Sequence, residues 1–327
     1  MDWRGKKVLV TGAGGFIGSH LAEALVHAGA KTKALIHYNA LGNIGWLATS
    51  DCRNDIEIVT GDVCDQGSVR EAVRGAEVVF HLAALIAIPY SYRAPESYVR
   101  TNIQGTLNVL QAARELRVER LVHTSTSEVY GTAQYVPIDE NHPLQGQSPY
   151  AASKIGADKF AEAFYCSFDL PVVTVRPFNA FGPRQSARAV IPTIITQYLN
   201  QGVVKLGRLT PTRDLNFVGN TVDGFMRAAL VPEAIGNVIN LGSGREISIG
   251  DLAQLIGRLV GGEILIEEEQ QRMRPGKSEV ERLLADPTRA RALLGWEPQV
   301  TLEDGLSLTI DWVRQNLDRY QPGAYIL

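Results

Sequence analysis

Tyr150 and Lys154 stand four residues apart in Ser148-Pro149-Tyr150-Ala151-Ala152-Ser153-Lys154-Ile155. The segment reads as the opening of a helix, so the two side chains share a face. A tyrosine ionises near pH 10, and deprotonating it near neutrality takes about three units, or roughly 4 kcal/mol. A lysine about 5 Å away supplies roughly 3 kcal/mol at an effective dielectric of 20, which brings Tyr150 within reach of acting as a base toward a hydroxyl. Such a pair arises often by chance; its place just past a fifth predicted strand gives it weight. That strand ends at Thr124 and continues Ser125-Thr126-Ser127-Glu128-Val129-Tyr130-Gly131. The carboxyl ends of strands are where open α/β sheets bind ligands, so the hydroxyls of Thr126 and Ser127 and the carboxylate of Glu128 are displayed where chemistry takes place.

A third signal lies at the start of the chain. Val8-Leu9-Val10 runs into Thr11-Gly12-Ala13-Gly14-Gly15-Phe16-Ile17-Gly18, followed by a helix bearing Ile17, Leu21 and Leu25. The three glycines have separate tasks: Gly12 allows a tight turn, Gly15 lets backbone approach a pyrophosphate, and Gly18 lets the helix pack close to the strand. The helix start adds free N–H groups and the positive end of its dipole. A dinucleotide cofactor follows, and the positive charge of an oxidised nicotinamide would add to that of Lys154. The second strand ends Leu35-Ile36-His37-Tyr38-Asn39. No acid stands there to select a ribose 2'-hydroxyl, and no arginine to select a 2'-phosphate, so NAD and NADP both remain open.

These residues need a scaffold, and the chain supplies one by alternation. Lys7–Thr11, Thr32–Ile36, Ile56–Thr60, Val78–His81, Arg120–Thr124 and Val172–Val175 are predicted strands, separated by helical segments in the manner of βαβ units. Val99, Ile103, Leu107, Leu110 and Ala113 predict one apolar stripe on a long helix. Beyond Pro177 a loop-rich stretch, Phe178 to Arg188, leads to a helix from Pro192 and a smaller lobe. Ser248-x-x-Asp251 and Thr301-x-x-Asp304 each predict a capped helix, and a third is predicted from the cap at Asp286-Pro287 to Gly295.

Six strings together resemble the extended short-chain dehydrogenases/reductases of the epimerase/dehydratase kind: the glycine motif, Gly61-Asp62-Val63, His81-Leu82-Ala83-Ala84, Thr101-Asn102-Ile103-x-Gly105-Thr106, Tyr150-x-x-x-Lys154 and Arg176-Pro177-Phe178-Asn179. The fold this implies is α/β, a Rossmann-type doubly wound parallel sheet with a smaller mixed α/β substrate-binding lobe. Residues 1–178 would form the dinucleotide domain and 179–327 mainly the lobe, with part of 214–245 returning to the sheet. The resemblance places Asp62 and Val63 at the adenine, His37 at the end of the second strand beside it, and Leu82, Ala83 and Ala84 on the nicotinamide side. Phe16 and Ile17 complete the glycine turn.

Thr126-Ser127-Glu128 is similar to the active-site triplet of nucleotide-sugar 4,6-dehydratases, GDP-mannose dehydratases above all. By that likeness Thr126 binds the sugar 4-hydroxyl, Glu128 deprotonates C5, and Ser127 assists loss of the 6-hydroxyl. The string from Arg176 to Pro192 resembles dehydratases acting on nucleotide-linked N-acetylglucosamine in legionaminic-acid-type pathways. The resemblance makes Asn179, Arg213 and Arg274 the substrate contacts, with Arg184 a further candidate, a guanidinium fork suiting a diphosphate. UDP-glucuronate decarboxylases share the triplet. They and the 4-epimerases stay as alternatives, and a non-catalytic dinucleotide sensor is a distant third, since it needs none of Tyr150, Lys154 and Glu128.

Composition narrows the class. The 327 residues are 45% hydrophobic, enough for a substantial core, and 32 basic against 35 acidic residues leave a net charge of -3 with no electrostatic drive toward nucleic acid. Cys52, Cys64 and Cys166 are too few and too scattered for a disulfide framework or a metal cluster. No apolar run approaches the roughly 20 residues of a membrane helix. The first residues pass directly into a strand with no signal-peptide stretch, so a cytoplasmic protein is expected. The resemblance further implies a homodimer joined through the helices near Val99–Leu116 and Tyr150–Ser167.

Overall fold

Seven parallel strands make up the main sheet of the computed structural model, which describes residues 2–320. Residues 1 and 321–327 of the two expected units fall outside the described residues. Six strands match the predicted ones within two residues at either end: β1 (Lys7–Thr11), β2 (Lys31–His37), β3 (Ile56–Gly61), β4 (Val78–His81), β5 (Arg120–Thr124) and β6 (Val172–Pro177). A further strand, Val238–Leu241, pairs with β6 and sets the edge. Across the sheet the order runs from Val238–Leu241 through β6, β5, β4, β1 and β2 to β3. Successive crossovers go one way from β1 to β3 and the other from β4 onward, so a crevice opens where β1 and β4 diverge. Val8, Leu9 and Val10 are all buried, as continuous apolar runs must be in strands covered on both faces.

One face carries helix α1 (Phe16–His27), the Val218–Leu230 helix and the Thr288–Leu294 helix, which bury Leu21, Leu25, Phe225 and Leu294 against the sheet with Trp296 just beyond the last of them. The other carries the helices Gln66–Val73, Gly105–Glu115 and Pro149–Phe168, burying Val69, Val109, Leu110 and Phe164. The chain therefore returns to the sheet through 218–241 after leaving it at Pro177.

The long helix predicted from Val99 differs in an informative way. Residues Val99–Gln104 form a π-helical stretch before the α-helix Gly105–Glu115 begins. The wider turn rotates Asn102 inward, where it is fully buried, and leaves Val99 half exposed, so the inner face is Asn102, Thr106, Val109, Leu110 and Ala113. Single π turns of this kind recur at functional sites, where they re-aim a side chain.

The lobe is built on the helices Val190–Gln201, Ile249–Val260 and Leu302–Gln315 around Ile194, Ile195, Leu252, Ile256, Leu306 and Ile310. Both predicted caps form: Ser248 Oγ accepts from Asp251 N at 3.0 Å, and Thr301 Oγ1 accepts from Asp304 N at 3.2 Å. Each hydroxyl also donates to the same aspartate at 2.6 Å, a reciprocal cap of a kind worth about 1 kcal/mol. The third helix begins at Thr288, one residue after the expected proline, and ends at Gly295 with φ 57°. No described helix is long and apolar enough to cross a membrane.

Candidate active site

The glycine turn has the shape a pyrophosphate needs. Gly12 takes φ +69°, and a Cβ there would sit 2.8 Å from Ala83 N, so the turn presses against the loop after β4. Gly18 faces the Gly12 carbonyl and Ala13 Cα too closely for any side chain. Gly15 is different: it is exposed, has ordinary extended backbone, and a Cβ would meet only Gly12 O at 3.2 Å. Its bare side is thus open to a ligand at the start of α1, where the free N–H groups point. Phe16 and Ile17 open that helix half-buried, Phe16 edge-on to His20. The residues present fit a dinucleotide.

Thr11 organises the neighbouring loop. Its Oγ1 accepts from Leu82 N and Ala83 N, both at 3.1 Å, and so donates its own proton to His81 Nδ1 at 2.9 Å. On the far side of the ring, Thr106 Oγ1 donates to Asn102 O at 2.6 Å and accepts from His81 Nε2 at 3.0 Å. His81 is therefore the neutral Nε2–H tautomer, and burial pushes its pKa well below the ordinary histidine value. Asn102 then clasps Leu85, accepting from its N–H at 2.8 Å and donating to its carbonyl at 2.9 Å. The segment Leu82–Leu85 is held in place by this chain of bonds. Asp62 Oδ1 caps Cys64 N at 2.8 Å, Val63 packs beneath Gly105, and His37 lies exposed at the end of β2.

Tyr150 and Lys154 lie on the first turns of the Pro149–Phe168 helix, which Ser148 caps by accepting from Ala151 N at 3.1 Å. Both are buried. Burial raises the Tyr150 phenol well above its ordinary range; a hydrogen bond with Thr126 pulls it back, while Glu128 and Tyr98 push it further up. Burial likewise pushes the Lys154 ammonium down to about 8 against the pull of Asp158. Lys154 Nζ donates to Thr124 O at 2.6 Å. Desolvation is the largest influence on both groups, because neither faces water.

Thr126, Ser127 and Glu128 form the turn after β5, with Thr126 Oγ1 accepting from Glu128 N at 3.2 Å. Glu128 is buried and faces two guanidinium groups: Arg274 Nη1 lies 4.0 Å from its Oε2, and Arg213 feels its charge. Glu279 completes the cluster, 3.3 Å from Arg213 Nη2 and 3.7 Å from Arg274 Nη1. Asn179 Oδ1 and Arg274 Nη1 are buried with no hydrogen-bond partner among the described residues, two polar atoms that a bound ligand would satisfy. The lobe supplies Arg213 from the strand Thr212–Asp214 and Arg274 from the loop before Glu279, so the cluster closes over the end of β5. Arg184 does not join it. Its two terminal nitrogens each lie 2.9 Å from a Glu23 oxygen on α1, and one reaches Ser19 Oγ at 3.2 Å. The substrate role expected of Arg184 gives way to a brace between the loop after β6 and α1, because an acid 161 positions away claims the whole fork.

Three residues of the site escaped the sequence. Asn102 belonged to a recognised string but showed no role until the π turn aimed it at Leu85. Glu279 is one acid among several in a charged stretch, and only the fold sets it between two arginines. Asp158 follows Lys154 by one helical turn, a spacing visible in the sequence, yet its partners come from β5 and β6.

The family model described as GDP-mannose 4,6 dehydratase matches residues 9–309. A UDP-glucose 4-epimerase of Mycolicibacterium smegmatis is 34% identical over 316 residues, spanning 94% of this chain and 98% of that protein. A dTDP-glucose 4,6-dehydratase of Streptomyces niveus is 34% identical over 325 residues, spanning 97% and 95%. The solved structure of DesIV, a dTDP-glucose 4,6-dehydratase from Streptomyces venezuelae with NAD bound, has a TM-score of 0.88 at 30% identity and covers 96% of this chain and 99% of its own. The family model spans most of the chain, and relatives are 34% identical over nearly all of it: the chain belongs to the GDP-mannose 4,6-dehydratase family, among the nucleotide-sugar dehydratases and epimerases.

Proposed function

We propose that this protein is an NDP-hexose 4,6-dehydratase that converts a nucleotide-linked sugar, such as UDP- or GDP-linked N-acetylglucosamine, to its 4-keto-6-deoxy product. The observation that carries the reading is the buried Glu128 carboxylate, set on the Thr126 turn beside Tyr150 and facing Arg274. An epimerase needs one base for the C4 hydroxyl. A dehydratase needs a second for the proton on C5, and Glu128 is a carboxylate in place for it.

NAD, the cofactor of the DesIV structure, is the proposed dinucleotide, held by Gly12, Gly15 and Gly18 with Asp62, Val63, Leu82, Ala83 and Ala84 around it. Bound, it would supply an oxidant that is regenerated within each turnover. Tyr150 takes the proton of the C4 hydroxyl, Thr126 orients that hydroxyl, and Lys154 offers positive charge to the phenolate. Glu128 then removes the C5 proton, made acidic by the neighbouring ketone, while Ser127 helps the 6-hydroxyl leave as water. Asn179, Arg213 and Arg274 hold the nucleotide, the guanidinium groups matching its diphosphate. A homodimer is part of the reading; Val99, Phe160 and Phe168 are large apolar side chains exposed on the two helices concerned. Light scattering that finds a monomer at micromolar concentration removes that part.

Incubation with UDP-, GDP-, dTDP- and CDP-sugars, followed by product mass, tests the reaction. Loss of one water supports dehydration, and loss of carbon dioxide would replace it with decarboxylation. The epimerase of Mycolicibacterium smegmatis, as similar as the dehydratase, makes 4-epimerisation the second reading, and unchanged mass with inversion at C4 would establish it.

A further inference from the structure

One oxygen of Glu279 lies against both guanidinium groups of the lobe. Its Oε1 accepts from Arg213 Nη2 at 3.3 Å and stands 3.7 Å from Arg274 Nη1. Arg213 is fixed a second time through Nη1, which donates to Thr212 O at 2.9 Å. Arg274 is held differently: its buried Nη1 lies 3.7 Å from Glu279 and 4.0 Å from Glu128 Oε2, and has no hydrogen-bond partner among the described residues. Glu279 is itself buried, yet its turn does not depend on the carboxylate. Ser278 N and Glu279 N donate to Pro275 O at 2.8 and 3.1 Å. Ser278 Oγ donates to Gln147 O at 2.6 Å and accepts from the Tyr92 hydroxyl at 2.7 Å, while Gln147 Nε2 donates to Lys277 O at 3.2 Å. Just beyond, Glu281 N donates to Thr132 Oγ1 at 3.1 Å. Other groups thus pin the turn to the residue before the Ser148 cap and to the segment after Glu128, and the carboxylate is left for the arginines.

Resting on the proposed nucleotide role of Arg213 and Arg274, we infer that Glu279 is a positioning residue whose carboxylate sets the two guanidinium groups side by side as one receptor for a diphosphate. Two cations drawn to one oxygen would otherwise repel each other, and the anion between them reverses that sign. At 3.7 Å it attracts Arg274 without taking up the Nη1 donors, which are left for phosphate oxygens. With Glu279 neutral, the other acid in reach of Arg274 is Glu128, and the guanidinium would turn toward the proposed C5 base and away from Arg213. A single phosphate can be held by one arginine. A diphosphate uses both, so the spacing that Glu279 sets matters most for it.

The test compares nucleotides that differ by one phosphate. Protein saturated with NAD is titrated by calorimetry with UDP, GDP, dTDP and CDP and with the monophosphate of each, and the base bound most tightly is carried to the variants. Glu279→Gln should weaken the diphosphate about tenfold and the monophosphate about threefold at most. The same substitution on an Arg274→Ala background should add little, since no pair is left to align, whereas a brace for the fold would cost the same in both backgrounds. Glu279→Asp keeps the charge but withdraws the oxygens, so its loss should fall between; it carries the decision if Glu279→Gln does not fold. Unchanged diphosphate affinity in the folded variant, equal losses for the two nucleotides, additive losses in the double variant, or tighter binding overturns the inference. If instead Arg213→Ala and Arg274→Ala bind the diphosphate as wild type does, or no diphosphate binds at all, the nucleotide reading itself falls and takes the inference with it.

Discussion

Gly15 and Gly18 are three residues apart in one motif, yet substituting them should fail in different ways. At Gly18 an alanine Cβ runs into the Gly12 carbonyl oxygen and lies 2.9 Å from Ala13 Cα. These are backbone atoms that cannot rotate aside, so Gly18→Ala should cost toward the upper end of the roughly 1–3 kcal/mol typical of overpacking. For 327 residues, at an unfolding entropy of about 2.1 cal/mol/K per residue, that is a fall of about 3–4 °C in Tm. At Gly15 the backbone is extended (φ -80°, ψ -176°), open to any residue, and the nearest atom to a Cβ is Gly12 O at 3.2 Å. Gly15→Val should therefore lose no more than about 1 kcal/mol, the cost of a poorer helix cap, while its side chain fills the approach to the α1 N-terminus and abolishes dinucleotide binding. Thermal denaturation of the two variants, with calorimetry using NAD(H) and NADP(H), separates the effects. Normal cofactor binding by Gly15→Val would show that the pyrophosphate lies elsewhere. A stability loss in Gly15→Val equal to that of Gly18→Ala would show that the contact reasoning is wrong.

Tyr150→Phe should leave bound cofactor oxidised in the presence of substrate, whereas Glu128→Gln should permit some reduction, seen as near-ultraviolet absorbance, but no dehydrated product and no uptake of solvent deuterium at C5. Normal C5 exchange in Glu128→Gln would return Glu128 to a structural role and favour the epimerase. Arg274→Ala should raise KM for the sugar nucleotide about ten- to a hundredfold with a much smaller change in kcat, since charge-assisted bonds are worth roughly 1.5–3 kcal/mol; an unchanged KM demotes it. Lys154, depressed from 10.5 to about 8 by burial, binds a proton less readily folded than unfolded, so its charged form costs stability below pH 8 and the cost fades between pH 8 and 10.5. Lys154→Met should thus be more stable than wild type at pH 7, by up to about 3 kcal/mol less what the Thr124 bond returns, and the gap in urea denaturation should close by pH 10.5.

Much of this protein is written in local spacing. Strand β1, the glycines and α1 are contiguous, and their roles follow from backbone sterics that act over a few residues. The six strands from β1 to β6 alternate with helices along 7–177, which is enough to imply a parallel sheet with its crevice at the carboxyl ends, because crossover connections have one hand. Tyr150 and Lys154 share a face through the helical repeat alone, and Ser248 and Thr301 cap their helices through bonds closed within three residues. What tertiary structure decided is where charges end up. Arg184 and Arg213 look alike in sequence, but Glu23 claims the first and Glu279 the second, across separations of 161 and 66 residues. Asn102 entered the site only because a π turn rotated it inward, a wound-in residue that apolar periodicity does not report. The surroundings of Tyr150 are a related case: spacing places Lys154 on its face of the helix, whereas desolvation depends on everything packed around both groups. Electrostatic roles depend on which distant strands and loops fold against a side chain, and that is a property of the assembled sheet and lobe.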